Sequence, residues 1–412
     1  MFLKINKGDW CHFFCDKKYI LTYFLIGDVM RKAFILFLII LFIPRFKAAE
    51  LSFASNAKSA ILIEASTGKI LYEKNADEKL VPASMTKMMS MLLILEAIEN
   101  GVLKWDQIIT VSENASGMGG SQILLETGEK MSVKDLFKGV AIASGNDAVV
   151  ALSEAIYGSE SVFVDHMNKK AKTLGLKNTN FKNPHGLDTA DHYSSARDMA
   201  LIAKELSKHE EVFKYTSVYD DYLRQNTDRK IWLVNTNKLV RFYDGVDGLK
   251  TGFTDGAGYC ITATAKKNGM RIIAVVMGEP TSKMRNKEIS EMLDYAFAQY
   301  KIRNLLKGKK SLGKYRVDSG KEEYVNVIPN EEVTVINKRG EDLKNINYKV
   351  YINDLKAPII KGDSVGNLKI FENGKFIRNI NLTVDKNISK INFIELFIRN
   401  LKDMIRGNIN IN

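Results

Sequence analysis

Apolar positions along the chain fall into runs of two kinds. From Ser59 to Lys74, SAILIEASTGKILYEK reads as two β-type runs about Ser66-Thr67-Gly68, the pattern of a hairpin. Ser84 to Asn100 is too long and too continuously apolar for a strand and predicts a buried helix; residues 133–157 predict a second. Apolar positions three and four apart predict further helices over 159–174, 196–208 and 283–300. Before the last of these, GYCITATAKKNGMRIIAVVMG (258–278) is two strands joined at Asn268-Gly269, a dipeptide suited to the positive φ angles of a two-residue turn. Hairpins flanked by a cluster of helices predict a mixed α/β (α+β) domain on an antiparallel sheet.

Near residue 304 the pattern changes. KGKKSLGK (307–314) reads as a basic connector, and beyond it YVNVI (324–328), EVTVI (332–336), NYKVYI (347–352) and KFIRNINLTV (375–384) are short alternating runs. Gly, Asn and Pro separate them, which predicts a small all-β domain, and no catalytic set lies within it. Over 386–412 the chain closes on an amphipathic helix. Ile391, Ile394, Ile398, Leu401 and Ile405 share one face, and Glu395, Arg399, Lys402, Asp403 and Arg406 lie on the other. Five basic and two acidic groups make this segment +3, and it has two dockings open to it, the β domain or a membrane surface.

At the other end, AFILFLIILFI (33–43) follows Arg31-Lys32 and precedes Pro44 and the small-x-small triplet Ser52-Phe53-Ala54. Eleven apolar residues are fewer than the ~20 a spanning helix needs, so the segment reads as a secretory signal, with a retained anchor as the alternative because Arg45 and Lys47 make the cleavage region basic. Met30 opens a well-formed signal and residues 1–29 fit nothing, which makes them a mis-called start. The expected organisation is 1–29 outside the native chain, 30–54 signal peptide, 55–304 catalytic domain, 305–385 β-rich domain and 386–412 amphipathic membrane-anchoring helix.

Composition narrows the function. With 412 residues, 45% hydrophobic and only 6 Pro, the chain is globular. Its net charge of +12, or +8 without residues 1–54, suits an anionic membrane or an acidic polymer. Cys11, Cys15 and Cys260 form no C-x-x-C pair, so neither a zinc site nor a redox motif is expected, and Cys260 reads as a buried thiol.

Three short motifs carry candidate chemistry. Pro82-Ala83-Ser84-Met85-Thr86-Lys87 puts Ser-x-x-Lys where a helix begins, so both side chains share a face and the amine reaches the hydroxyl, although Ser84 also reads as a plain N-cap. Ser144-Gly145-Asn146, 57 residues beyond Lys87, interrupts an apolar run. It is either a helix break satisfied by backbone bonds or a hydroxyl and an amide presented to a cleft. Lys250-Thr251-Gly252, 104 residues beyond Asn146, is either a turn or a strand edge where Lys and hydroxyl bind a carboxylate and Gly admits a ligand to the backbone. In this order and at these separations they are the signature set of penicillin-binding proteins and serine β-lactamases.

The chain resembles the low-molecular-mass penicillin-binding proteins that act as serine-type D-Ala-D-Ala carboxypeptidases (peptidase S11). The likeness runs from about 55 to 405 through ILIEASTGKILYEKN, PASMTKMM, ASGNDA, NPHGLDTADHYSSARDMALIA, GLKTGFTDGAGYCITATA and KGDSVGNLKIFENGK. It implies a penicillin-binding/β-lactamase-like catalytic domain in which Ser84 is the acylated nucleophile, Lys87 takes its proton and Ser144 relays a proton to the leaving amine. Asn146 would position the substrate amide; Lys250, Thr251, Gly252 and, nearby, Arg285 would form the site of the terminal carboxylate. The backbone N–H groups of Ser84 and Phe253 would form the oxyanion hole. Some relatives carry His where this chain has Phe253, and Arg where it has Thr236. The resemblance further implies no metal or organic cofactor, a peptidoglycan stem peptide as substrate, β-lactams as covalent inhibitors, no nucleic-acid partner, and a place on the extracytoplasmic face of the bacterial cell membrane.

His185 with Asp188 or Asp198 offers a triad, but the resemblance makes that stretch a structural loop and Lys the base. A class A β-lactamase usually has Ser-Asp-Asn and a Glu-x-x-Leu-Asn loop, neither present here. A catalytically silent peptidoglycan-binding module would not need Ser84 and Lys87 together.

Overall fold

The computed structural model describes residues 53–405 except 307, 309 and 342–344. The mis-called start expected at 1–29, all of the signal but Phe53 and Ala54, and the last residues of the tail lie outside the described residues.

A five-stranded antiparallel sheet organises the catalytic region, in the order Ile70–Lys74, Ser59–Glu64, Met270–Glu279, Gly258–Lys267, Val246–Thr254. The two hairpins of the sequence are both there, the second turning through Asn268 (φ 51°) and Gly269 (φ 78°). Both faces of the sheet are covered, so its central strands are buried along most of their length and their two-residue alternation sorts apolar side chains between two cores. Ile61, Ile63, Ile273, Val275 and Met277 enter a helical cluster. Leu62, Ile261, Ile272 and Val276 meet Ile289, Met292 and Leu293 of the helix Ser282–Gln299. A one-residue slip of a strand would exchange the two sets, which holds the register.

The helix Lys87–Glu99, entered through a 3₁₀ turn Ala83–Thr86, is buried without a break from Lys87 to Leu95 and forms the axis of the helical cluster. Helices Glu160–Thr173, Ala196–Leu206 and Ser282–Gln299 are capped by Ser159, Ser195 and Thr281, whose hydroxyls accept the N–H three residues on. The single helix expected over 133–157 is instead two, Val133–Lys138 and Asn146–Tyr157, separated by a widened turn Gly139–Ala143 and a left-handed Ser144 (φ 65°). Backbone bonds satisfy the break, since the N–H of Gly145 donates to the carbonyl of Gly139 at 3.1 Å. An unforeseen hairpin, Asp220–Leu223 with Ile231–Val234, flanks the cluster.

Beyond the helix Ser282–Gln299 the chain runs directly into a strand, Tyr300–Asn304, which pairs with Thr334–Lys338. The run 332–336 therefore lies outside the main sheet of the β region, whose order is Gly313–Arg316, Tyr324–Pro329, Lys375–Val384, Gly366–Glu372, Ile346–Ile352. Two of these strands were not expected: Gly313–Arg316 begins inside the basic connector, and Gly366–Glu372 precedes a tight Asn373-Gly374 turn. The Ser66-Thr67-Gly68 turn docks on this region. Ser66 Oγ lies 2.8 Å from Thr334 Oγ1, and Arg378 donates to the Ser66 carbonyl at 2.5 Å while pairing with Glu331 at 2.8 Å.

The amphipathic helix forms over Phe393–Ile405. Arg399 ties it to the β region by donating to the carbonyls of Gly320 and Lys321, both at 2.8 Å, yet Phe393, Ile394, Phe397, Ile398 and Leu401 stay exposed. Its apolar face is therefore not packed on the β domain. Among the described residues, no helix is long and apolar enough to cross a membrane.

Arg378→Ala removes the only described guanidinium that spans the Ser66 turn and Glu331, at a cost of about 1–3 kcal/mol for a charged hydrogen bond. Calorimetry is expected to show the β region melting ahead of the catalytic region in this variant, against a joint transition in the parent.

Candidate active site

Ser84 sits in the 3₁₀ turn that feeds the helix, and two glycines bring other segments against it. A Cβ on Gly252 would lie 2.9 Å from the Pro82 carbonyl oxygen and 3.0 Å from Ala83 Cβ; one on Gly186 (φ 89°) would lie 1.9 Å from the Ala83 carbonyl oxygen. The missing side chain of Gly252 thus lets the Lys-Thr-Gly strand close on the Ser84 turn. The 183–189 loop closes from the other side.

One helical turn beyond Ser84, Lys87 is fully buried. Its Nζ is 3.1 Å from Ser84 Oγ, 2.6 Å from Asn146 Oδ1 and 2.7 Å from the His185 carbonyl oxygen. Burial holds the amine well below its usual 10.5; the Lys250 charge lowers it further and Asp147 opposes. A neutral amine has two N–H donors and one lone pair. Asn146 Oδ1 and the His185 carbonyl are both acceptors, so once the amine sheds the proton it now donates to Ser84 Oγ they take its two remaining N–H donors and its lone pair faces the Ser84 hydroxyl.

Asn146 is oriented for this. Its Nδ2 donates to the Gly119 carbonyl at 2.7 Å and its backbone N–H to the Ser121 carbonyl at 2.7 Å. Asp147, unforeseen in the sequence, is a buried carboxylate accepting from the N–H groups of Ile123, Leu125 and Ala148, and so fixes the loop that carries Ser121 into the cleft. Its signal was there to read: an acidic residue placed directly after Ser-Gly-Asn in an apolar run. Ser144 presents a buried Oγ with no hydrogen-bond partner among the described residues.

Across the cleft, Lys250 is buried on its strand and donates to the Thr251 carbonyl at 3.0 Å. Burial, helped by the nearby Arg285, pushes its amine down to about 7. Thr251 Oγ1 donates to Thr236 Oγ1 at 2.7 Å, so Thr236 is a cleft residue as well. Arg285 is almost wholly buried, with Nε and Nη2 on Asn286 Oδ1, and burial lowers it to about 10. Phe253 is half-exposed and packs on Tyr259, ring centres 4.4 Å apart. Ser84, Ser144, Thr251, Gly252, Phe253 and Arg285 open on one cleft of about 500 Å³, with Lys87 and Lys250 behind its walls.

The triad alternative does not assemble. The ring of His185 accepts from the Leu187 N–H through Nδ1 and faces Glu160 through Nε2; Asp188 accepts from Thr254, and Asp198 accepts from the N–H of Asn178 and from Thr179. What His185 offers Lys87 is its backbone carbonyl. Among the described residues no group of His, Cys, Asp and Glu could hold a metal ion.

Comparison with known proteins identifies the family. The family model for peptidase S11, D-alanyl-D-alanine carboxypeptidase, matches residues 46–281, and that for the C-terminal domain of penicillin-binding protein 5 matches 300–390. The chain is 51% identical over 351 residues to the D-alanyl-D-alanine carboxypeptidase DacF of Bacillus subtilis (strain 168), covering 85% of this chain and 90% of that one. It is 37% identical over 369 residues to DacC of Escherichia coli (strain K12), covering 86% and 90%. Penicillin-binding protein 5 from Haemophilus influenzae superposes with a TM-score of 0.66 at 34% identity, covering 83% of this chain and 100% of that one. Penicillin-binding protein D2 from Listeria monocytogenes, in its cefotaxime-bound form, does so at 0.54 and 34%, covering 60% and 99%. By the family model over most of its length and by these relatives, this chain belongs to the serine D-alanyl-D-alanine carboxypeptidases of peptidase S11.

Proposed function

We propose that the chain removes the terminal D-Ala from peptidoglycan stem peptides ending in D-Ala-D-Ala, through an acyl-enzyme on Ser84. The observation that carries this is the Lys87 amine, buried, depressed in pKa and directed at Ser84 by two fixed acceptors. Ser84 Oγ attacks the carbonyl carbon of the penultimate D-Ala while its proton passes to Lys87. The oxyanion is held by the backbone N–H groups of Ser84 and Phe253, which strand and turn bring together at Gly252. Collapse breaks the C–N bond, and the leaving amine takes a proton from Lys87 through the unengaged hydroxyl of Ser144. Water then cleaves the ester and frees Ser84. Asn146 holds the substrate amide, and Lys250, Thr251 and Arg285 hold the terminal carboxylate, with Gly252 admitting the peptide backbone beside the strand.

β-Lactams enter the same cleft and acylate Ser84, as the cefotaxime- and ampicillin-bound Listeria relatives suggest. The reading places the enzyme outside the cytoplasm, exported by the 30–54 signal. The helix Phe393–Ile405 then lies on the membrane, its exposed apolar face in the lipid and Lys402 at the head groups, while Arg399 holds it to the β region. Side chains and water suffice for the reaction.

Intact-mass analysis after benzylpenicillin treatment is expected to show one covalent adduct on the full chain and none on Ser84→Ala, which also releases no D-Ala from diacetyl-Lys-D-Ala-D-Ala. A second expectation follows from Lys250. An unfolded lysine keeps its proton up to 10.5, whereas the folded one sheds it near 7. Below 7 both states are protonated and the folded one carries a buried charge, so the penalty is complete there and fades as pH rises from about 7 toward 10.5. Lys250→Met therefore stabilises the protein by about 4 kcal/mol at pH 6 and by little at pH 10 in denaturant titrations. In kinetics the same substitution raises KM for the peptide, and it moves the ascending limb of the acylation pH profile upward, since Lys87 loses a repelling neighbour. Third, deleting residues 393–412 is expected to abolish sedimentation with anionic vesicles while leaving hydrolysis of the soluble peptide intact.

A further inference from the structure

The hairpin Asp220–Leu223/Ile231–Val234 buries one face and leaves the other to solvent. Leu223 and Leu233 enter the helical core, and between them Asp221 pairs with Lys138 at 2.8 Å. By strand alternation Asp220, Tyr222, Trp232 and Val234 occupy the outer face, Tyr222 opposite Trp232 and Asp220 opposite Val234. Trp232 is 56% exposed and Tyr222 38%. Neither ring is left to turn freely. The indole Nε1–H donates to Asp220 Oδ2 at 2.9 Å, and the Lys230 ammonium lies 4.2 Å over the centre of the Tyr222 ring. Ordering an indole that stays in water costs side-chain entropy and hides little apolar area, so a cross-strand contact worth ~0.2–1 kcal/mol is all that folding gains.

The location of the pair indicates its ligand. Val234 borders the catalytic cleft with Ser84 and Ser144, and Trp232 stands two residues away on the same face, ~7 Å along the strand. The junction is rigid, because Asn235 donates through Nδ2 to the carbonyls of Thr216 and Val218, at 3.0 and 2.8 Å, and through its backbone to that of Tyr219 at 2.7 Å. A pre-oriented aromatic surface rimmed by a carboxylate and an ammonium therefore continues one wall of the cleft. A pyranose ring matches it: its apolar C–H face stacks on an indole, and its hydroxyl and acetamido groups bond charged rims.

We propose that Trp232, backed by Tyr222 and framed by Asp220 and Lys230, is a saccharide platform that holds a sugar ring of the glycan bearing the stem peptide. This rests on the carboxypeptidase reading for its substrate. The platform touches no reacting atom; it raises affinity for glycan-borne stems and leaves free peptides unaffected.

The test compares kcat/KM of the full-length enzyme on a free pentapeptide ending in D-Ala-D-Ala and on the same peptide carried by its disaccharide. The parent is expected to favour the disaccharide form at least fivefold. Trp232→Ala should abolish that preference through KM with the free peptide unchanged, and Trp232→Tyr should restore part of it. The proposal is overturned if the parent shows no preference, if the preference survives in Trp232→Ala, or if both substrates and the melting temperature fall together, which marks a structural role. A Trp232→Ala that loses vesicle binding and keeps the preference overturns it in favour of a lipid surface. Should the parent release D-Ala from neither substrate, the carboxypeptidase reading is what fails. The platform is then judged by titrating the disaccharide alone, where a fluorescence change present in the parent and absent in Trp232→Ala supports it and no change overturns it.

Discussion

A lysine amine with no access to water is the constraint on which the rest of this structure depends. Lys87 is fully buried, and its charged form is disfavoured there by desolvation and by a second buried lysine across the cleft. That favours the neutral amine, the form that can act as a base, but only if its two remaining N–H groups are satisfied, since an unsatisfied buried donor costs about 1–3 kcal/mol. The acceptors come from two segments far apart in the chain, the amide of Asn146 and the carbonyl of His185. Each has its own support, Gly119 and Ser121 for the first and the Asn183 side chain's bond to Gly186 N–H for the second.

This need explains features that are otherwise unfavourable. A left-handed Ser144 and a helix interrupted in mid-core carry a conformational cost, and they turn the hydroxyl of Ser144 to the cleft and the amide of Asn146 to Lys87. Gly186 and Gly252 occupy places where a Cβ would strike the backbone beside Ser84, so the loop and the strand hold that turn from two sides. The sheet supplies rigidity because both faces are packed, and the Lys-Thr-Gly edge can face a cleft while its neighbours anchor two cores.

Among the described residues, the β region and the terminal helix contribute nothing to the lining of the cleft. The Ser66 turn, Thr334, Arg378 and Glu331 lock the two parts of the chain together, so the orientation of the cleft relative to the exposed apolar helix is set by specific bonds. The outer hairpin borders the cleft at Val234 and carries its fixed aromatic pair on the same strand face.

Much of this was legible in the chain. The two hairpins of the central sheet, the helices Glu160–Thr173, Ala196–Leu206 and Ser282–Gln299, and the convergence of Ser84, Lys87, Ser144, Asn146, Lys250 and Thr251 all follow from local periodicity and from motifs whose order is diagnostic. The amphipathic tail, too, declared its two faces, though not which surface its apolar side avoids. What the sequence left undetermined is non-local: the break at Ser144, the pairing of Tyr300–Asn304 with Thr334–Lys338, the edge strand inside a run that reads as a connector, and the role of the His185 carbonyl. Periodicity reports which face of an element is apolar and says nothing of which partner will cover it. Hydrogen-bond acceptors on the backbone carry no residue signature at all. The sequence alone therefore determined the chemistry and most of the elements; the tertiary structure alone decided the burial that sets the lysine amines and the partners that aim them.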